Sequence, residues 1–200
     1  MIFRALTLLR QELQVGILSH GGAADEVVLG NVAQAGEAGS TILNDKLIIS
    51  LLGTEEETTL RNTPPIKATS GGFAKINPPL HINIHLLVSA YYVGGTGTAP
   101  YENALRRLSQ AITFFQGKSV FDLANSPHAT LVNDPELAEL KLSMELQTLG
   151  LEQTNQLWGS LGGRMVPAAL YKVRMIAIQA DRPSGTGPAI EAIHLNESID

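Results

Sequence analysis

The side chains able to do chemistry are few and scattered. His81 and His85 stand four residues apart, the spacing that puts two imidazoles on one face of a helix and lets them share a metal ion. They lie, however, in a segment where Leu80, Ile82, Ile84, Leu86, Val88, Ala90 and Tyr92 alternate with His81, Asn83, His85 and Ser89. A period of two is a strand, and on a strand the two rings stand roughly 13 Å apart at ~3.3 Å per residue, too far for one ion. They read as solvated or hydrogen-bonded histidines on a sheet face. Gly94-Gly95-Thr96-Gly97 falls between a strand and a helix, where a phosphate cradle would sit, but lacks the Lys-Ser/Thr ending and glycine spacing of nucleotide loops. It reads as a turn. Glu55, Glu56 and Glu57 alternate sides if their strand continues, so the paired carboxylates of acid/base catalysis are not implied. Ser160 and Ser184 sit among glycines without the nucleophile-elbow pattern. Asn196-Glu197-Ser198 matches a glycosylation acceptor, yet nothing at the start of the sequence reads as a secretory signal, so the match is taken as accidental. No catalytic residue, metal ligand or cofactor is assigned. A small metal- or phosphate-binding enzyme built on His81, His85 and the Gly94–Gly97 turn stands as the alternative from a different class.

The elements that would position these residues come from hydrophobic periodicity. Ile2, Leu6, Leu9, Leu13 and Ile17 recur at helical spacing and predict a helix over Met1–Ser19 with one face in a core. A short strand is expected within Val27–Val32, a loop over Gln34–Asn44, and a strand from Asp45 with Leu47, Ile49 and Leu51 on one face. Arg61–Pro79, with Pro64, Pro65, Gly71, Gly72, Pro78 and Pro79, predicts a long loop of the kind used for binding, exposing Phe73 with Lys75 beside it. After the Leu80–Tyr92 strand, Pro100 marks a helix start. Tyr101, Ala104, Leu105, Leu108, Ala111, Ile112 and Phe115 form its apolar stripe, with Arg106 and Arg107 on the solvated side. A linker from Lys118 to Pro135, a strand over Leu140–Gln147, a helix over Gln153–Leu161 closed by Gly162 and Gly163, and a strand over Ala168–Ala180 complete the domain. The domain spans 1–182 and is followed by a flexible arm, 183–200. This order gives an α+β fold: a mostly antiparallel or mixed sheet with helices packed on one side.

The chain has 200 residues, 14 Lys+Arg, 19 Asp+Glu, a formal net charge of -5 and no cysteine. Disulfide frameworks, thiolate zinc sites and cysteine nucleophiles are therefore excluded. The acid excess is spread over both halves without a basic stripe, so no nucleic-acid partner is expected. No stretch reaches the roughly 20 uncharged apolar residues of a membrane span, so direct membrane insertion is not expected either.

Two stretches carry a resemblance. Tyr101-Glu-Asn-Ala-Leu-Arg-Arg-Leu-Ser-Gln-Ala-Ile-Thr-Phe-Phe-Gln116 and Leu146-Gln-Thr-Leu-Gly-Leu-Glu-Gln-Thr-Asn-Gln-Leu-Trp-Gly-Ser-Leu-Gly-Gly163 resemble the tail-terminator (cap) proteins of extracellular contractile injection systems. That group includes the antifeeding prophage and the Photorhabdus virulence cassettes. The Pro78–Tyr91 and Tyr171–Met175 segments match in the same order, so the resemblance runs to about Ala180. Some longer relatives carry a further C-terminal domain; here the common N-terminal domain plus a tail is expected.

The resemblance implies a tail-terminator-like fold and a structural role: a homohexameric ring that ends the inner tube and sheath of a phage-tail-like particle. The implied partners are further copies of the chain and the sheath and tube subunits. The implied location is the bacterial cytoplasm during assembly, then the particle, whether released or membrane-associated. A terminator or connector of a phage or pyocin tail shares this architecture and remains the near alternative. Candidate partner contacts are Phe73 and Lys75 in the long loop, Trp158, and Ile190, Ile193 and Leu195 in the arm. In the arm, Ile193 and Leu195 alternate with His194 and Asn196 and suit strand addition. An apolar second sheet face with Leu87, Tyr91, Ile176 and Ile178 is expected to supply ring contacts.

Overall fold

Leu6, Leu9, Leu13 and Ile17, the expected stripe, are buried along helix α1 (Ile2–Ser19), together with Ala5 and Leu8. A computed structural model of the chain describes residues 1–22, 26–37, 41–57, 66–69, 72–75, 80–93, 97–128, 140–178 and 185–187. Burying each such leucine or isoleucine contributes roughly 1.5–3 kcal/mol. Helix α2 (Ala99–Gly117) has proline in its first turn, as expected, and buries Ala104, Ala111 and Phe115. Two residues of its predicted stripe, Tyr101 and Leu105, stay 47% and 41% exposed.

Both helices lie on one face of a six-stranded sheet ordered β1 (Val27–Leu29), β2 (Leu47–Glu56), β5 (Leu80–Ala90), β8 (Ala168–Ile178), β7 (Lys141–Gln147), β6 (Val120–Asp122). Only β1 and β2 run parallel; the other four pairings are antiparallel. The fold is therefore α+β with a mixed sheet. The face under α1 and α2 holds Leu47 and Ile49 of β2, Ile82 to Ala90 of β5 at alternate positions, Leu142 of β7 and Tyr171 and Val173 of β8. Phe115 of α2 meets Tyr171 at 5.1 Å between ring centroids, and burial pushes the Tyr171 hydroxyl up to about 12.

Two ion pairs fasten the helices. Lys118 Nζ, just past α2, donates to Glu12 Oε2 at 2.7 Å and to the Asn125 carbonyl at 2.6 Å, and Glu12 is 4% exposed. Arg107 Nε donates to Glu26 Oε1, so Arg107 is not on a purely solvated face: the buried Glu26 carboxylate draws it in.

Three expectations change. The 61–79 stretch, read as one long loop, contains strands β3 (Ile66–Thr69) and β4 (Gly72–Lys75), which pair antiparallel. The supposed linker after Lys118 contains β6, paired with β7. The supposed free arm contributes β9 (Gly185–Gly187), paired antiparallel with β4. These strands of three or four residues lie among prolines, glycines and polar residues and show no periodicity, whereas β1, equally short, is legible from its Val-Val-Leu run.

Helix α3 (Leu151–Ser160) ends as expected, with Gly162 and Gly163 at φ +94° and +77°. It does not join the other helices. Its Trp158 packs with Val32, Leu43, Ile48, Leu87, Tyr91 and Val166 in a second, smaller core on the opposite sheet face. Helices on one side thus holds for α1 and α2 but not for α3, because β2 and β5 are apolar on both faces and each face needs a cover.

Candidate functional site

Three regions stand out for surface chemistry, all away from the core under α1 and α2. The first is the three-stranded sheet β3-β4-β9. It carries two of the expected contact residues on one strand: Phe73, in register with Ala68 and Gly187, and Lys75, in register with Ile66 and Gly185 and exposed. Strand β4 feeds β5 and β8 leads to β9, so two antiparallel partners in the large sheet continue as partners in the small one.

The second is the second face of the large sheet, which divides into two halves. One half is closed within the chain. Trp158 is 6% exposed, and Leu87 and Tyr91 are 2% and 3% exposed. These are core residues of this chain, and Leu87 and Tyr91 are therefore not the open ring surface expected of them. Ile176 and Ile178 are backbone partners of Ile82 and Leu80, and their side chains lie outside the described ones. The other half is a polar row. A bulge at Leu52, between the Leu51↔Leu86 and Gly53↔His85 pairs, turns Glu55 onto this face. Glu55 Oε2 accepts from Lys172 Nζ at 3.0 Å and His85 Nε2 at 3.2 Å. Lys172 first, then His85, hold the Glu55 carboxyl below the usual carboxylate range. Arg174 Nη2 donates to Glu145 Oε2 at 2.9 Å, and Asn83 Nδ2 to Glu57 Oε2 at 2.8 Å. His85 is thus one member of a charge row rather than a partner of His81. The sequence did not reveal this row: Glu55 is far along the chain from Lys172 and Arg174, and their meeting depends on strand register.

The third is a cleft of about 220 Å³ between the second core and the turn after α3, lined among others by Val32, Gly36, Tyr91, Leu161, Arg164 and Val166. Arg164 Nη1 donates to Tyr91 Oη at 2.9 Å, with the guanidinium 5.1 Å from the ring centroid. Gly36 has φ +92°, and a Cβ there would fall 2.6 Å from Tyr91 Oη. Its volume is below the roughly 300–1,000 Å³ of small-molecule sites, and Arg164 already fills its polar end. The other expected contacts, Ile190, Ile193 and Leu195, and most of the Gly94–Gly97 turn, lie outside the described residues.

Comparison with known proteins adds the following. A family model described as the Pvc16 N-terminal domain matches residues 5–192. Among solved structures, the chain is similar to the PVC sheath/tube terminator of an extracellular contractile injection system in its extended state, with a TM-score of 0.56 at 12% identity. That match covers 96% of this chain and 63% of the terminator, so the chain spans somewhat under two thirds of that protein's length. The anti-feeding prophage tube-terminating cap matches with a TM-score of 0.49 at 13% identity, over 76% of this chain and 49% of that one. A search of curated proteins finds no match.

Proposed function

The chain belongs to the Pvc16 N-terminal domain family, and from that premise we propose that it is a structural cap: a ring of identical subunits that ends the inner tube and sheath of a contractile injection system. The observation that carries this reading is the fold, shared over 96% of the chain with a protein whose described role is sheath/tube terminator. The chain's surface chemistry supports it. The polar row and the β3-β4-β9 sheet offer flat, charged or strand-based surfaces of the kind protein partners use, while the cleft is small and filled at its polar end by an internal hydrogen bond.

In this proposal the ring is a homohexamer whose neighbours along the particle are sheath and tube subunits. It assembles in the cytoplasm of the producing bacterium and remains in the finished particle. Phe73 and Lys75 on β4 are contacts to those neighbours, and the segment from Ala189 to Asn196, with Ile190, Ile193 and Leu195, docks by strand addition. Trp158 supports the ring from within by holding α3 against the sheet.

Light scattering on the purified chain, followed by negative-stain imaging of the main peak, tests the assembly state. A six-fold ring, alone or on short tube segments, is the expected result. A strict monomer that also fails to bind tube or sheath subunits would overturn the proposal. Truncation after Gly187, which keeps β9 on β4, sharpens it: sheath attachment should weaken, and unchanged attachment would show that the 189–196 segment does not dock.

A further inference from the structure

We propose that copies of this chain join head to tail through the edges of their six-stranded sheets, the open half of β2 in one copy pairing with the open half of β7 in the next. The inference rests on the ring reading and names the surface that would close the ring.

Each outer edge of the sheet is only half covered by the chain itself. Strand β1 pairs with β2 at Leu47–Ile49, and Gly30 N donating to the Ile49 carbonyl ends that ladder. Strand β6 pairs with β7 at Lys141–Ser143, and Met144 N donating to the Ser119 carbonyl ends that one. Among the described residues no strand pairs with the outer edge of β2 from Leu51 to Glu55, or of β7 from Glu145 to Gln147. Such edges present rows of backbone donors and acceptors and act as templates for another strand.

The two open halves fit each other. Three antiparallel steps separate β2 from β7, so they run in opposite directions within one sheet. Neighbours related by a simple rotation would therefore bring β7 antiparallel to β2. Both open halves are C-terminal, and both blocked halves are N-terminal. Laid antiparallel, each blocked half runs past the end of the other strand, so neither β1 nor β6 obstructs the joint. A contact between two different edges is heterologous, and closes into a ring when the rotation allows.

The side chains agree on both faces. Thr54, opposite Ile84, and Leu146, opposite Tyr171, lie on the face that carries α1 and α2. Leu146 is 55% exposed and Leu51, on the same face of β2, is 42% exposed: apolar side chains left open at the two edges that would meet. On the other face, Glu55 and Glu145 would come near each other, but each arrives with its own cation, Lys172 and Arg174. Two acids that repel if bare instead extend a balanced charge row across the joint.

The chain has no cysteine, so a two-cysteine variant gives a clean test. Thr54→Cys and Leu146→Cys, both at exposed positions, are combined in the full chain and treated with a short bismaleimide, with light scattering on the same sample. The expected result is a ladder of covalent multimers from the double variant and monomer alone from each single variant. Dimers from either single variant would mean that like edges meet, which overturns the head-to-tail arrangement. No ladder from a sample that still forms rings overturns the edge pairing and leaves the cap reading standing. No ladder together with a monomeric wild type overturns the edge pairing as the ring contact, and the cap reading is then judged separately on tube and sheath binding.

Discussion

Beneath α1 and α2 the sheet is sealed by long helices, with Leu8, Leu9, Leu13 and Ile17 fully buried and two ion pairs holding the helices in place. Across the same strands, among the described residues, the opposite face is sealed where Trp158 and its neighbours sit, and further along it turns into the polar row of Glu55, His85, Lys172, Glu145 and Arg174, with His85 and Lys172 half-buried and the others exposed. The difference separates two tasks. One face supplies the apolar burial that makes the chain fold, and the other pairs Glu55 with Lys172 and Glu145 with Arg174 while leaving both carboxylates half exposed. The proposed cap role would call on both, because a surface that must meet partners cannot also be spent on the core.

That contrast can be broken at graded depth. Phe121, fully buried and packed against Phe114 and Phe115, should give the largest loss: Phe121→Ala is expected to cost about 4 kcal/mol in urea unfolding. Trp158→Ala should cost about 3 kcal/mol, as a large side chain with fewer buried neighbours. If Trp158→Ala cost distinctly more than Phe121→Ala, the claim that the helical face holds the fold would fail. Glu12→Gln removes the charge facing Lys118 but leaves hydrogen-bonding groups, and should cost about 2 kcal/mol, since Lys118 keeps the Asn125 carbonyl and is partly solvated. Gly36→Ala forces a side chain into a left-handed backbone and against Tyr91 Oη, and should cost about 1 kcal/mol while disturbing the Arg164 bond.

The smallest effect belongs to the polar row and is best read as a pH dependence. The folded carboxyl of Glu55 is held below its ordinary value of 4.5. The stability it contributes is therefore present above about that pH and fades as pH falls through the lower folded value. The difference in melting temperature between wild type and Glu55→Gln should be small at pH 7 and vanish in more acid buffer. A difference that grows on acidification would contradict the pairing with Lys172 and His85.

The sequence shows the sealed face more clearly than the open one. Helices α1 and α2 and strands β2, β5, β7 and β8 carry apolar periods long enough to read directly, and α3 is marked by its closing glycines. The short strands β3, β4, β6 and β9 are not, because three or four residues between prolines and glycines carry no period. The second core was hidden for another reason. An apolar position such as Leu87 or Tyr91 looks the same whether its own chain or a neighbour covers it, and only the placement of Trp158 decides. The polar row depended on the bulge at Leu52, one residue that reverses which side Glu55 faces. Such local irregularities leave no pattern in the amino-acid order.

If this chain terminates a particle, as proposed, its position on one shows it. Particles carrying an epitope on the chain, labelled with antibody and imaged by electron microscopy, should show label at one end of the tube and sheath and nowhere along the shaft. Label spread along the shaft, or particles of normal length and form without the chain, would contradict it.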